Sequence, residues 1–427
     1  MDDLVLGTQL AWGNERPMTL SVVDRRMHVM VIGQTGVGKS TFLRSLIAQD
    51  IASGRGCAVL DPHGDLAEEV LDLVPKHRTD DVLYFDPADR ARVPALNPLA
   101  GVPPAERARV TEEIVAAFSS IWGLSTETTP RLLYILTNTV AALLDVPNGA
   151  TLLGIPRMLT DTGYREQVVR HVRNPQVRRF WEAEFEAWPD RQRLEAIAPV
   201  MNKAEMLVHS PELYLTLGQA RPTMRPEAVM DEGRIFIANL SKGRLGETTS
   251  QLLGALLVAS FDLAARRRAG IPEEARRDFA LYADEFQNFA SERFASILSE
   301  ARKYRLALTL ATQYSKQVPE RVRDALVGNV GNVVAFRVGE DDAAVLERVL
   351  TPWPASTLRE LGRGEIIARL VADGITTEPR RGQTIHLASV AQPRRLPIVK
   401  QSHRRYTRPR EDVEKRLLRW LGGEASI

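Results

Sequence analysis

His28-Val29-Met30-Val31-Ile32-Gly33-Gln34-Thr35-Gly36-Val37-Gly38-Lys39-Ser40-Thr41 decides how the rest of the chain is read. It joins a short apolar run to a glycine-rich octet and then to Thr41-Phe42-Leu43-Arg44-Ser45-Leu46-Ile47-Ala48, whose apolar residues recur at helical spacing. Gly33 to Ser40 matches G-x-x-x-x-G-K-[S/T] in full, between an expected strand and an expected helix, which is the context the motif needs. The glycines let backbone amides turn inward onto phosphate oxygens, and the following helix points its positive end at them. Lys39 would reach the β- and γ-phosphates of ATP, and Ser40 would ligate Mg2+. The expected nucleotide-binding residues are therefore Gly33, Gln34, Thr35, Gly36, Val37, Gly38, Lys39, Ser40 and Thr41.

Outward from this stretch, further apolar runs end in turn residues: Cys57 to Leu60 before Asp61-Pro62-His63-Gly64-Asp65, and Val82 to Phe85 before Asp86-Pro87. More strands are expected at Arg234 to Asn239, Phe279 to Ala283, Leu306 to Ala311, Asn332 to Val338 and Glu365 to Ala372. Alternation with helices implies parallel pairing. Between them the texture is helical, as in Arg131 to Leu144. The expected fold is thus α/β: a P-loop NTPase core with a mostly parallel sheet, discontinuous over 27–103 and 222–375, with an all-helical insertion at 104–221. Residues 1–26 are expected to form a β-rich appendage, and 376–427 a basic, extended C-terminal arm closed by a short helix, Val413 to Leu421.

Phe279-Ala280-Leu281-Tyr282-Ala283-Asp284-Glu285 is an apolar strand ending in two carboxylates, and parallel strands present such ends on the ligand side. Asp284 would hold Mg2+ through water, and Glu285 could orient or deprotonate the attacking water. The next strand ends in Thr312-Gln313, placing an amide where it could contact both water and γ-phosphate. Pro62 and Gly64 read as a turn with Asp65 capping the helix after it, and Asp61, His63 and Asp65 receive no chemical role.

These motifs, with Glu300-Ala301-Arg302-Lys303 and Leu310-Ala311-Thr312-Gln313, resemble the HerA/FtsK clade of RecA-like motors. Within it the likeness is to conjugative (type IV secretion) coupling proteins and HerA-like helicases, over most of Met27 to Val349. The resemblance implies catalytic roles for Glu285, Gln313 and Arg302, the last reaching into a neighbouring subunit's ATP and so implying a homo-oligomeric ring, a hexamer. It also implies translocation of single- or double-stranded DNA, and a relaxosome, nuclease or membrane-channel partner.

Composition sets outer limits. With 44% hydrophobic and 26% charged residues in 427, the chain is of ordinary globular type, and a net charge of +2 announces no particular partner. Cys57, the single cysteine, reads as a buried strand residue. Met1 to Val5 lacks the basic start of a secretory signal, and the run Leu252 to Phe261 falls short of the ~18 to 20 residues that span a bilayer. A cytoplasmic location is expected, with recruitment to a membrane left to a partner. Ser241-Lys242-Gly243-Arg244-Leu245-Gly246 offers two cations among glycines as a candidate DNA-facing loop. Two alternatives stay open: a related motor acting on protein substrates, and a nucleotide-dependent switch. Guanine specificity is disfavoured because Asn202-Lys203-Ala204-Glu205 lies within the helical region rather than after a core strand.

Overall fold

The computed structural model describes residues 3–11, 14–147, 149–387 and 393–422. Met1 and Asp2, on which the signal-peptide reading leans, lie outside them, as do parts of the expected appendage and C-terminal arm. Packing divides the chain into two units: Met1–Phe85 with Pro226–Ser241 and Phe261–Ser402, and Asp86–Arg225 with Lys242–Ser260 and His403–Ile427.

The first unit is built on β1 (Leu4–Ala11), β2 (Asn14–Leu20), β3 (Val29–Ile32), β4 (Gly56–Asp61) and β5 (Val82–Phe85). After β6 (Arg92–Val93), which belongs to the second unit, it continues with β7 (Ile235–Asn239), β8 (Phe279–Ala283), β9 (Leu306–Thr312), β10 (Asn332–Ala335) and β11 (Glu365–Arg369). The short hairpin of β12 (Val371–Ala372) and β13 (Ile375–Thr376) then leads to β14 (Arg380–Thr384). Eleven of these strands form one sheet in the order β2-β1-β14-β11-β10-β3-β9-β8-β4-β7-β5. From β10 to β5 every pairing is parallel, whereas the β2 to β11 side is antiparallel. The strands β4, β5, β7, β8 and β9 are buried along their whole length, so they read in the sequence as continuous apolar runs rather than alternating ones. Cys57 is one such residue, free and fully buried, its thiol pushed up to about 12 by burial.

Two expectations change at the sheet's antiparallel side. Residues 1–26 are not a separate appendage: β1 pairs with β14, Gly7 opposite Thr384, and so joins the main sheet. The expected extended arm contributes β14 itself and then the helix Arg395–Tyr406, whose Arg395 binds Glu68 at 2.5 Å and Asp72 at 2.9 Å. Those carboxylates sit on α2 (Asp65–Leu73), so the arginine of this basic stretch is neutralised within the fold.

Behind the sheet, α1 (Lys39–Ala52) carries Asp50, which is fully buried. Its carboxylate accepts from Arg25 Nη1 at 2.7 Å, Arg55 Nε at 2.7 Å and the Tyr282 hydroxyl at 2.6 Å. A carboxylate in an apolar layer is tolerated only when its charge is paired and its lone pairs are filled, as here.

The second unit is mostly helical, with Arg107–Trp122 and Pro130–Leu144 among its longer helices and Phe180, Trp181, Phe185 and Trp188 clustered in its core. It also takes in the C-terminal helix Arg410–Leu421. The apolar run Leu252 to Phe261 is the middle of a longer helix, Glu247–Arg267. By length and composition that helix could cross a membrane, but 72% of its most apolar window is buried inside the protein, as in a core helix.

Candidate functional site

The glycine-rich loop sits at the carboxyl edge of the parallel strands. Gly33 N donates to Thr312 O at 3.3 Å and Gln34 N to Arg337 O at 2.9 Å, pinning the loop to the strand ends on either side of β3. Gly36 (φ 78°) and Gly38 (φ 114°) occupy left-handed backbone that side chains rarely adopt. A Cβ on Gly36 would meet nothing within 4 Å, so this face of the loop is open to a ligand. A Cβ on Gly33 would lie 2.6 Å from Phe336 Cβ, which explains the glycine there by close packing.

Lys39 opens α1 and curls back over the loop, its Nζ donating to Gly33 O at 2.6 Å and Gln34 O at 3.1 Å. It lies 3.9 Å from Glu285 Oε1. Burial lowers the ammonium's pKa, while the Glu285 and Asp284 charges oppose that. Ser40 donates its hydroxyl to Asp284 Oδ2 at 2.9 Å. Asp284 is 3% exposed, and its carboxyl is raised to about 6, first by burial and then by the charges of Glu285 and Asp61.

Glu285 stands in left-handed backbone (φ 44°), unusual for a residue with a side chain and a small local strain held by its surroundings. Its carboxylate ends a chain of hydrogen bonds: Thr35 Oγ1 donates to Gln313 Oε1 at 2.8 Å, and Gln313 Nε2 donates to Glu285 Oε1 at 2.8 Å. On the other side Gln287 Nε2 donates to Glu285 Oε2 at 2.7 Å. Gln287 is absent from the sequence reading, since it follows the acidic pair on an irregular turn and no motif singles it out.

Asp61, left without a role by the sequence, is fully buried and closes its own turn. It accepts from His63 N at 2.8 Å and Ala67 N at 2.9 Å. It is therefore Asp61, not Asp65, that caps α2, reaching over Gly64, whose φ of 96° re-aims the chain. β4 lies beside β8, which brings the Asp61 charge to bear on Asp284. His63 belongs to no metal cluster: among the described residues no group of three His, Cys, Asp or Glu side chains could hold an ion.

Arg302 is not part of this cradle. It lies exposed on the turn Ala301–Tyr304 before β9, whereas Gln313 follows that strand's other end. Seven strand residues span roughly 20 Å, beyond the reach of a guanidinium. Burial alone would raise the Asp24 carboxyl, but the hydrogen bonds from Ser21, Gly374 and Asp373, with the Arg302 charge last among these causes, hold it below its ordinary value. The candidate DNA-facing loop is a helical turn, Lys242–Leu245, in which Lys242 pairs with Glu247 at 3.4 Å and Arg244 with Asp86 at 2.9 Å.

The donor set suits magnesium. A serine hydroxyl and a single carboxylate leave most of an octahedral shell to phosphate oxygens and water, which is how Mg2+ is usually held beside a nucleotide. The open loop beside Lys39 suits a phosphate chain.

Residues 5–151 match the family described as the central domain of helicase HerA. The fold is shared with the plasmid coupling protein TrwB solved with ADP and Mg2+ (15% identity, 92% of this chain and 97% of that one, TM-score 0.59). It is equally shared with VirB4 of Thermoanaerobacter pseudethanolicus (15% identity, 90% and 96%, TM-score 0.59). The unbound monoclinic form of TrwB matches at 14% identity over 91% and 89%, with a TM-score of 0.59. No curated protein sequence matches. The family match is confined to residues 5–151, and the shared fold bears out the α/β architecture with a mostly parallel sheet expected from the sequence.

Proposed function

We propose that the chain is an ATP-hydrolysing motor that assembles as a ring, a hexamer, and moves DNA. The observation that carries this reading is the convergence of Lys39, Ser40, Asp284, Glu285 and Gln313 at the carboxyl edge of the neighbouring strands β3, β9 and β8. In this reading the loop amides from Gly33 to Thr41 take the phosphates, and Lys39 leaves the Gly33 and Gln34 carbonyls to bind the β- and γ-phosphates. Ser40 and Asp284 hold Mg2+, Asp284 through water, and the ion supplies charge neutralisation on the phosphates. Glu285, held by Gln313 and Gln287, accepts the proton of the attacking water, and Gln313 links that carboxylate to Thr35 on the phosphate loop.

In this reading Arg302 serves the ring rather than its own pocket: exposed before the amino end of β9, it would reach a neighbouring copy's ATP, which makes hydrolysis depend on assembly. DNA as cargo is supported by the HerA-domain match and by the fold shared with the plasmid coupling protein TrwB, with a relaxosome, nuclease or membrane channel as the further partner and the cytoplasm as the place of action. The test is steady-state ATP hydrolysis with and without single- and double-stranded DNA. Stimulation by either form supports the motor reading, and a rate indifferent to both would leave DNA without a role.

A further inference from the structure

The helical unit encloses a cavity of about 320 Å³ between the C-terminal helix Arg410–Leu421 and the segments around Gly149 and Gly218. Three arginines, Arg221, Arg408 and Arg416, line it, and none of its lining residues is acidic. Arg408 is partly buried and aimed by Gln219, whose Oε1 accepts from its Nη1 at 2.7 Å. Gln219 is itself buried, and its amide donates to Leu215 O at 2.9 Å and Pro94 O at 3.3 Å, so its orientation is fixed by the backbone. Burial holds the Arg408 guanidinium below its ordinary pKa, and the charges of Arg416 and Arg221 push the same way. Three cations facing one cavity without a carboxylate are a standing electrostatic cost that an entering anion removes.

Apart from Thr151, the rest of the lining is aromatic and apolar. Trp420 is held in place: Arg157 donates to its carbonyl at 2.8 Å and lies 4.9 Å from its ring centre, and Tyr164 meets it edge-on at 5.9 Å. A fixed indole beside a cationic corner, in a space within the range of small-ligand sites, matches a ligand with a phosphate at one end and a flat ring at the other.

We propose that this cavity binds one nucleotide unit, its phosphate on Arg408, Arg416 and Arg221 and its base against Trp420. The unit is either a free mononucleotide or the end of a single strand, which present the same chemistry. The site lies in the unit that does not carry the phosphate cradle and stands independently of the motor reading.

The test uses the full chain with Lys39→Ala, which silences the cradle, titrated calorimetrically with thymidine monophosphate, an end-phosphorylated oligothymidylate and inorganic phosphate. Saturable binding of the mononucleotide, or of the oligonucleotide alone, is expected, and the second result names a strand end as the source. Arg408→Gln and Arg416→Gln should each weaken that binding by roughly tenfold or more, as loss of a charge-assisted hydrogen bond does. Arg416 is exposed, so its replacement leaves the fold intact should Arg408→Gln disturb it. Trp420→Leu should weaken nucleotide but not phosphate. The proposal is overturned if neither nucleotide ligand binds, if inorganic phosphate binds as tightly as they do, or if binding survives both arginine replacements.

Discussion

The residue that best shows local chemistry fixed by packing is His28. It is fully buried, with Nδ1 accepting from Leu308 N at 3.1 Å and Nε2 facing Leu298 O at 3.1 Å. Only the neutral ring with its proton on Nε2 satisfies both partners. Burial accordingly depresses its pKa from 6.5 to about 4. Because the folded value lies below the unfolded one, the unfolded chain takes up the proton first. The stability His28 contributes is thus present above pH 6.5 and lost as pH falls toward about 4. Denaturant unfolding at about pH 7 and about pH 5 should differ by about 2 kcal/mol from this residue, a slope that His28→Gln removes. A variant with an unchanged slope would show that other groups set it. At this same scale the sequence was legible where motif and strand coincide, as at Lys39, Ser40 and Asp284, which do converge. It was not legible for Asp61 or Gln287, because their partners depend on the φ of Gly64 and on an irregular turn after β8.

At the scale of elements, the parallel strands announced themselves because burial on both faces demands unbroken apolar runs, as in Val82-Leu83-Tyr84-Phe85 and Leu306 to Ala311. β14, Arg380-Arg381-Gly382-Gln383-Thr384, gave the opposite impression. Most of its residues stay partly or fully exposed, so its composition is polar and basic, and its partner β1 lies far away in sequence while β11 is reached across the β12–β13 hairpin. A strand so exposed and so composed reads as a basic arm. What ties α1 to β8 is equally invisible in one dimension, since Asp50, Arg25 and Tyr282 meet only in the fold. Asp50→Ala would leave Arg25 charged, buried and unpaired, and should cost about 3 to 5 kcal/mol in denaturant unfolding. A loss below about 1 kcal/mol would mean that water reaches the site and the pair contributes little.

For the whole molecule, the cradle lies at the carboxyl ends of the strands and Arg302 at the amino end of β9. A chain so arranged cannot complete its own pocket with that arginine, and in the proposed ring a neighbouring copy would supply it. Mixing an Arg302→Ala chain with a Lys39→Ala chain should therefore restore part of the hydrolysis that each lacks alone, measured as ATP turnover against the mixing ratio; no recovery at any ratio would argue against a trans role. Of the proposed roles, that of Glu285 in activating water at this cradle matters most to the motor reading. The decisive measurement is ATP binding and turnover by Glu285→Gln beside the unaltered chain. Removal of a general base should keep ATP bound while lowering turnover by roughly a hundredfold or more. Turnover equal to that of the unaltered chain would contradict the claim.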